Sequence, residues 1–120
     1  MKRILVTGGA GFVAGHLLTE LTSSGHEVVL SDIVDVDLPN YIKADLTDRE
    51  AMLGLVDAAK PDAIVHLGAI SFVPDAEKNP EKLKQINLGG TESLLEGVKR
   101  SVPKAKFLFA STALVLGGEL

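Results

Sequence analysis

Apolar and polar positions follow two alternating regimes along this chain. Short runs of branched apolar residues are separated by longer stretches with helical spacing of the apolar positions. The first run, RILVT (Arg3 to Thr7), predicts a buried strand. Phe12 to Ser24 predicts a helix: Val13, Leu17 and Leu21 share a stripe, with Ala14 and Leu18 beside them, and Gly25 supplies a left-handed stop. EVVLS (Glu27 to Ser31) predicts a second strand, followed by an acidic, proline-containing loop, DIVDVDLPN. YIKA (Tyr41 to Ala44) predicts a short third strand. TDRE (Thr47 to Glu50) has the spacing of a capping box, opening a helix with Met52, Leu55, Val56 and Ala59 on one face and Pro61 at its exit. DAIVHL (Asp62 to Leu67) predicts a fourth strand. NPEK (Asn79 to Lys82) sets a cap before a proline at the first helical position. That helix is expected to run to about Arg100, with Leu83, Ile86, Gly90, Leu94 and Val98 as its stripe, until Pro103 breaks it. AKFLFAS (Ala105 to Ser111) predicts a fifth strand.

Continuous apolar strands separated by amphipathic helices predict an α/β fold: a parallel, doubly wound sheet of about five strands covered on both faces. In that plan the strand order is 3-2-1-4-5. No repeat, low-complexity tract or linker interrupts the chain, so residues 1–120 are expected to form one unit. The tail ALVLGGEL still carries core-like residues, and a sixth strand with a covering helix would complete the plan. The chain therefore reads as the front part of a longer protein lacking its substrate domain. Its last strand and apolar tail are expected to promote self-association.

Composition narrows the function classes. The net charge is -4 with acids and bases interspersed, which recruits neither nucleic acid nor an anionic membrane. With no cysteine, disulfides and thiolate metal sites are excluded, and three scattered histidines make no zinc motif. The apolar run in MKRILVTGG is too short for a signal peptide or a membrane span, so a soluble cytoplasmic protein is expected.

The segment VTGGAGFVAGHL (Val6 to Leu17) carries the chemistry. Gly9, Gly11 and Ala14 fit G-x-G-x-x-G/A between a strand and a helix. One position allows the tight turn, one lets a pyrophosphate approach the backbone, and the third packs the helix on the sheet, where alanine is small enough. The helix N-terminus then offers free N–H groups to the phosphates, and Gly8 and Gly15 widen the space. Asp32 follows 23 residues after Gly9, where a carboxylate can accept hydrogen bonds from both adenosine ribose hydroxyls and repel a 2′-phosphate. That favours NAD over NADP; Asp35 and Asp37 are alternatives should the strand end later. No GK[ST] follows the glycines, which argues against a Walker-type triphosphate loop.

VTGGAGFVAGHL, ADLTD, HLGA, INLGGTESLLE and FLFASTALVLG occur in an order that resembles the extended short-chain dehydrogenases/reductases, the NAD-dependent epimerases and dehydratases. The resemblance covers essentially the whole chain and implies a Rossmann-like fold. The family's T-G-x-x-G-x-x-G falls on Thr7, Gly8, Gly11 and Ala14, with alanine in the last glycine's place. The resemblance implies Asp45 and Leu46 beside adenine, although Asp45 also suits a simple cap near Thr47. Leu67, Gly68 and Ala69 would lie along the cofactor, Gly68 replacing a commoner alanine, and Asn87, near Thr91, on the nicotinamide side. The cofactor-binding candidates are thus Thr7, Gly8, Gly9, Gly11, Phe12, Val13, Asp32, Ile33, Asp45, Leu46, Leu67, Gly68, Ala69 and Asn87. His66 is expected to be a satisfied core imidazole, and His16 and His26 helix and surface residues.

Thr112 matches the family's catalytic Ser/Thr, and Leu116 stands where a tyrosine is usual. The family's Tyr-x-x-x-Lys pair has no counterpart here: the sole tyrosine, Tyr41, is followed at that spacing by Asp45. The parent protein is expected to be a nucleotide-sugar epimerase, dehydratase or related oxidoreductase. The chain itself is expected to bind NAD with little or no catalysis. Two rival readings are a methyltransferase using S-adenosylmethionine and a non-catalytic dinucleotide-binding sensor or scaffold.

Overall fold

In a computed structural model, whose residues 2–67 and 88–109 are described here, the first apolar run forms strand β1 over Arg3–Thr7. Helix α1 (Phe12–Ser23) follows, then β2 (Glu27–Asp32), the short β3 (Tyr41–Lys43) and α2 (Arg49–Ala59). Next come β4 (Ala63–His66), α3 (Gly90–Ser101) and β5 (Lys106–Phe109). The five strands form one parallel sheet in the order β3-β2-β1-β4-β5. This is the doubly wound order expected from the alternation of elements, with the chain reversing direction between β1 and β4.

Side chains alternate across the sheet, and each face packs its own core. Leu5, Val29 and Ile64 point to the face covered by α2 and α3, where they meet Met52, Leu55, Val56, Leu94 and Val98. Ile4, Val6, Val28 and Leu30 point to the α1 face and meet Ala14, with Leu17, Leu18 and Leu21 packed behind. Val13 does not join that stripe: it is 61% exposed. One residue is a third of a turn, so Val13 and Ala14 cannot both face the sheet, and the smaller Ala14 allows the closer approach. On β5, Phe107 packs into the α2/α3 core while Leu108 is exposed on the opposite side. Among the described residues, that side of β5 has no apolar cover.

The helix ends show which local signals operate. Gly25 takes φ +85 after α1, and the His26 N–H closes back onto the Leu21 carbonyl at 3.0 Å. The expected capping box at Thr47 is not formed. Asp48 is the N-cap of α2, its Oδ1 accepting the Ala51 N–H at 3.1 Å, while the Thr47 hydroxyl donates to Asp45. Asp and Thr compete for the cap, and the one whose register suits the first free N–H wins. Lys60 in a left-handed conformation, rather than Pro61 alone, ends α2. The expected start of the third helix at Asn79–Lys82 lies outside the described residues, as does the end of the fifth predicted strand beyond Phe109.

Helices α2 and α3 touch closely because Gly97 presents no side chain: a Cβ there would lie 3.0 Å from Val56 Cγ2. Arg49 bridges the pair through Glu96 at 2.7 Å, an exposed contact of small net effect. Gly97→Val is therefore expected to lower unfolding stability by about 1–3 kcal/mol through overpacking. Urea denaturation measures this; a variant with wild-type midpoint would show that α3 rides free of α2.

Candidate functional site

The glycine turn sits at the C-terminal end of β1, where the strand order reverses and ligands of such sheets bind. Gly8 carries the left-handed backbone, φ +70. The tight turn is completed by the Gly11 N–H donating to the Gly8 carbonyl at 3.0 Å. Gly9 performs the close packing: its N–H donates to the Ser31 carbonyl at 2.8 Å, and a Cβ would stand 2.7 Å from Leu30 Cβ. Gly15 faces no crowding, since a Cβ would meet nothing within 4 Å. The work assigned to Gly9 is thus split between Gly8, which turns, and Gly9, which lies flat on β2. Ala14 does pack α1 on the sheet, being 1% exposed.

Helix α1 begins at Gly11 with no side-chain cap and no acid in its first turn. Its N-terminal N–H groups and dipole therefore face an approaching anion without a competing carboxylate.

Asp32 ends β2 beside this turn. One carboxylate oxygen accepts the Ile33 N–H at 2.7 Å and the other accepts the Ala10 N–H at 3.1 Å. The second bond ties the acid to the glycine loop itself, and sequence reasoning did not identify it, because the donor is a backbone group. Each oxygen retains acceptor capacity for a further donor. Asp35 is instead an exposed partner of Lys43 at 3.0 Å.

A cleft of about 170 Å³ opens between these parts. Of the cofactor-binding candidates, Thr7, Gly8, Asp32, Ile33, Asp45 and Leu46 line it. Met52 and Leu55 also line it, although their helical spacing marked them only as core. Its walls are thus mostly apolar, with Asp32 and Asp45 as the acids among the lining residues. Asp45 accepts the Thr47 N–H at 2.9 Å and the Thr47 hydroxyl at 2.8 Å, so the local turn reading of this residue holds in the geometry. Leu46 is held from behind by α3, because a Cβ on Gly90 would lie 3.0 Å from it. Gly11, Phe12 and Val13 stand at the turn and the start of α1. Leu67 follows β4, while Gly68, Ala69, Asn87 and Thr112 lie outside the described residues.

Below the turn, a buried polar chain crosses three elements. The Thr7 hydroxyl lies 2.6 Å from His66 Nδ1 and accepts the Leu67 N–H at 2.9 Å, while His66 Nε2 lies 3.1 Å from the Thr91 hydroxyl. A neutral imidazole offers one donor and one acceptor nitrogen, and each meets a hydroxyl. His66 is 1% exposed, and burial lowers its pKa to about 4 from 6.5. The core-imidazole reading holds, and Thr91 ties α3 to the strand ends.

Because folding favours neutral His66, its stabilisation is complete above pH 6.5 and is lost as the pH falls towards 4. The loss over that window is about 3 kcal/mol for the whole shift. Asp57 and Glu96 titrate lower than ordinary carboxylates because Lys60 and Arg49 donate hydrogen bonds to them, so their effects come at more acid pH. Urea midpoints for wild type should fall across this window, and those of a His66→Gln variant should fall much less. Parallel slopes would remove the imidazole from the account.

The sequence profile described as the NAD dependent epimerase/dehydratase family matches residues 4–119. The chain belongs to that family. A UDP-glucose 4-epimerase of Bacillus subtilis is 35% identical over 95% of this chain, which spans 38% of that relative. A 3 beta-hydroxysteroid dehydrogenase/Delta 5-->4-isomerase of Mycobacterium tuberculosis is 33% identical over 99% of the chain and 34% of its own length. Among solved structures, the UDP-glucose-4-epimerase of Stenotrophomonas maltophila, with bound NAD and formylated UDP-arabinopyranose, superposes with a TM-score of 0.83. It is 29% identical, and the match covers 96% of this chain and 38% of that one. L-threonine 3-dehydrogenase of Trypanosoma brucei superposes at 0.82 with 29% identity, covering 93% of this chain and 37% of its own. The chain thus spans well under half of the proteins it matches. The family is NAD-dependent, as its description states, and these relatives lend no support to a methyltransferase reading. Among the described residues, no helix is long and apolar enough to cross a membrane.

Proposed function

We propose that residues 1–120 form the NAD(H)-binding part of an oxidoreductase, epimerase or dehydratase of this family, with the adenosine end in the cleft beside Asp32. The observation that carries the proposal is the Asp32 carboxylate, braced by the Ala10 and Ile33 N–H groups directly beside the glycine turn. Braced in this way, it can receive the two ribose hydroxyls without reorganising. Gly8, Gly9, Gly11 and the uncapped start of α1, at Phe12 and Val13, suit the diphosphate. Ile33, Leu46, Met52 and Leu55 suit an apolar ring face, with Asp45 as acceptor for its amine. Thr7 and Leu67 border the path towards the nicotinamide, where Gly68, Ala69, Asn87 and Thr112 complete the assignment. NAD, when bound, supplies the hydride-transfer chemistry.

The relatives support cofactor binding rather than one substrate. Proteins named for UDP-glucose, a 3 beta-hydroxysteroid and L-threonine all share this stretch, so it carries what they have in common. A nucleotide sugar is our proposed substrate class for the parent, because the UDP-glucose epimerases recur among these relatives. We assign Thr112 a hydrogen bond to the reacting substrate oxygen. Without the Tyr-x-x-x-Lys pair, the chain alone has no evident proton-transfer agent and should turn over little or nothing. On this reading residues 1–120 act as one incomplete unit that is cytoplasmic and self-associates through its last strand and apolar tail.

The chain has no tryptophan, so NADH fluorescence reports binding cleanly. Parallel titrations are expected to rank NADH above NADPH, with S-adenosylmethionine silent by calorimetry. Absence of NADH binding at millimolar concentration by a folded sample would refute the proposal. Preferred binding of S-adenosylmethionine would hand the cleft to a different chemistry. Light scattering on the same sample should show mass rising with concentration; a constant monomer mass would remove the self-association claim.

A further inference from the structure

A second concavity lies at the opposite end of the sheet from the glycine turn, where the strands begin. It is a groove of about 630 Å³, in the size range of small-molecule sites. Lys2, Lys60, Lys104 and Lys106 line it with His26, against one acid, Asp62. A chain of net charge -4 thus gathers a third of its twelve Lys and Arg residues around one groove. Helix ends explain only part of this. Lys60 caps α2 at its C-terminus, where a cation is favoured, and pairs with Asp57 at 2.6 Å. Lys2 and Lys106 instead stand at the starts of β1 and β5, and Lys104 lies in the turn between α3 and β5. None of these three has an ion pair among the described residues.

The frame holding these lysines is hydrogen-bonded. The Lys2 N–H donates to His26 Nδ1 at 3.1 Å, and the Glu27 N–H donates to the Lys2 carbonyl at 2.9 Å. Asp62 accepts the Arg3 N–H through its side chain at 2.8 Å, and its carbonyl accepts the Lys106 N–H at 3.0 Å. One oxygen of the groove's one carboxylate is thus engaged by backbone. Ile4, Pro61, Ala63, Val102 and Pro103 supply the apolar wall. Separate ammonium groups on flexible stems act as point charges, which suits a multivalent phosphate better than the planar, two-pronged carboxylate.

We infer that this groove is a second anion site, which takes a small phosphate ester with an apolar body. The phosphate meets Lys2, Lys104 and Lys106, and the apolar body lies against Ala63 and Pro103. The chain's net charge of -4 disfavours an extended polyanion.

The test is an amide-resolved NMR titration of the labelled 120-residue chain, saturated with NADH, using phenyl phosphate and inorganic phosphate as probes. Phenyl phosphate should produce saturable shifts at Lys2, Ala63, Lys104 and Lys106. Inorganic phosphate should bind the same amides more weakly, for want of an apolar body. Lys104→Ser combined with Lys106→Ser should weaken phenyl phosphate about tenfold or more, with NADH-induced shifts at the glycine turn retained. Lys2→Gln, which leaves the backbone bonds in place, should weaken it in the same direction and serves if the double variant fails to fold. Shifts confined to residues 8–14, equal affinity for inorganic phosphate, or affinities unchanged by both sets of substitutions would each overturn the assignment.

Discussion

Gly9→Val should reduce NADH affinity about a hundredfold or more while leaving a folded protein. A Cβ at this position would stand 2.7 Å from Leu30 Cβ and 3.0 Å from the Ser31 backbone nitrogen. Leu30 is 2% exposed and Ser31 is paired in the sheet, so neither can retreat cheaply. The loop must lift off β2 instead. That breaks the bond from the Gly9 N–H to the Ser31 carbonyl and moves the Ala10 N–H away from Asp32. Overpacking of this kind costs about 1–3 kcal/mol, and a diphosphate held by loop amides loses its geometry at the same time. Gly9→Ala carries the same Cβ and should act in the same direction with smaller effect. Gly15→Ala is the control: its Cβ meets nothing within 4 Å, so affinity should hold, with helix stability rising by about 0.5–1 kcal/mol. Fluorescence titration of NADH, with thermal unfolding in parallel, measures all three. If Gly9→Val binds NADH like wild type, the turn is not where the phosphates rest.

Asp32→Ala should weaken NADH by roughly tenfold to a hundredfold and bring NADPH close to it, since hydrogen bonds to a charged group contribute about 1.5–3 kcal/mol each. Two effects combine. The ribose loses an ionised acceptor, and the glycine loop loses its brace at Ala10. NADPH gains in relative terms because the carboxylate no longer repels a 2′-phosphate. Asp32→Asn separates the effects: its amide keeps the shape and one acceptor oxygen but drops the charge. It should recover part of the loop order while still admitting NADPH. A preference for NADH untouched by both substitutions would move the ribose elsewhere along the rim. Asp45 would be the next carboxylate to test, since it lines the same cleft.

Much of this architecture was legible in the chain because its signals are local. The burial of Met52, Leu55, Val56 and Ala59 follows from their spacing, and the strand order follows from alternating crossovers. Local signals also misled where two neighbours competed for one role. Val13 and Ala14 both fitted an apolar stripe, and the sheet accepted the smaller. Thr47 had the spacing of a capping box, yet its neighbour Asp48 holds the cap. The division of labour between Gly8 and Gly9 was hidden for a similar reason. The motif marks where glycine is wanted, but only φ and the distance to Leu30 say which glycine turns and which packs.

Read alone, then, the amino-acid order determined the element sequence, the parallel α/β plan, the glycine turn and the acid at the end of β2. These depend on periodicity and on residue types a few positions apart, where chain geometry leaves few options. Tertiary structure alone decided three other features: the Ala10–Asp32 brace, the Thr7–His66–Thr91 chain, and the meeting of lysines from three separate segments at the foot of the sheet. The braced and chained partners lie 22 to 59 residues apart. Contacts across such separations are set by how strands register and helices pack, and no repeat or spacing in the chain records them.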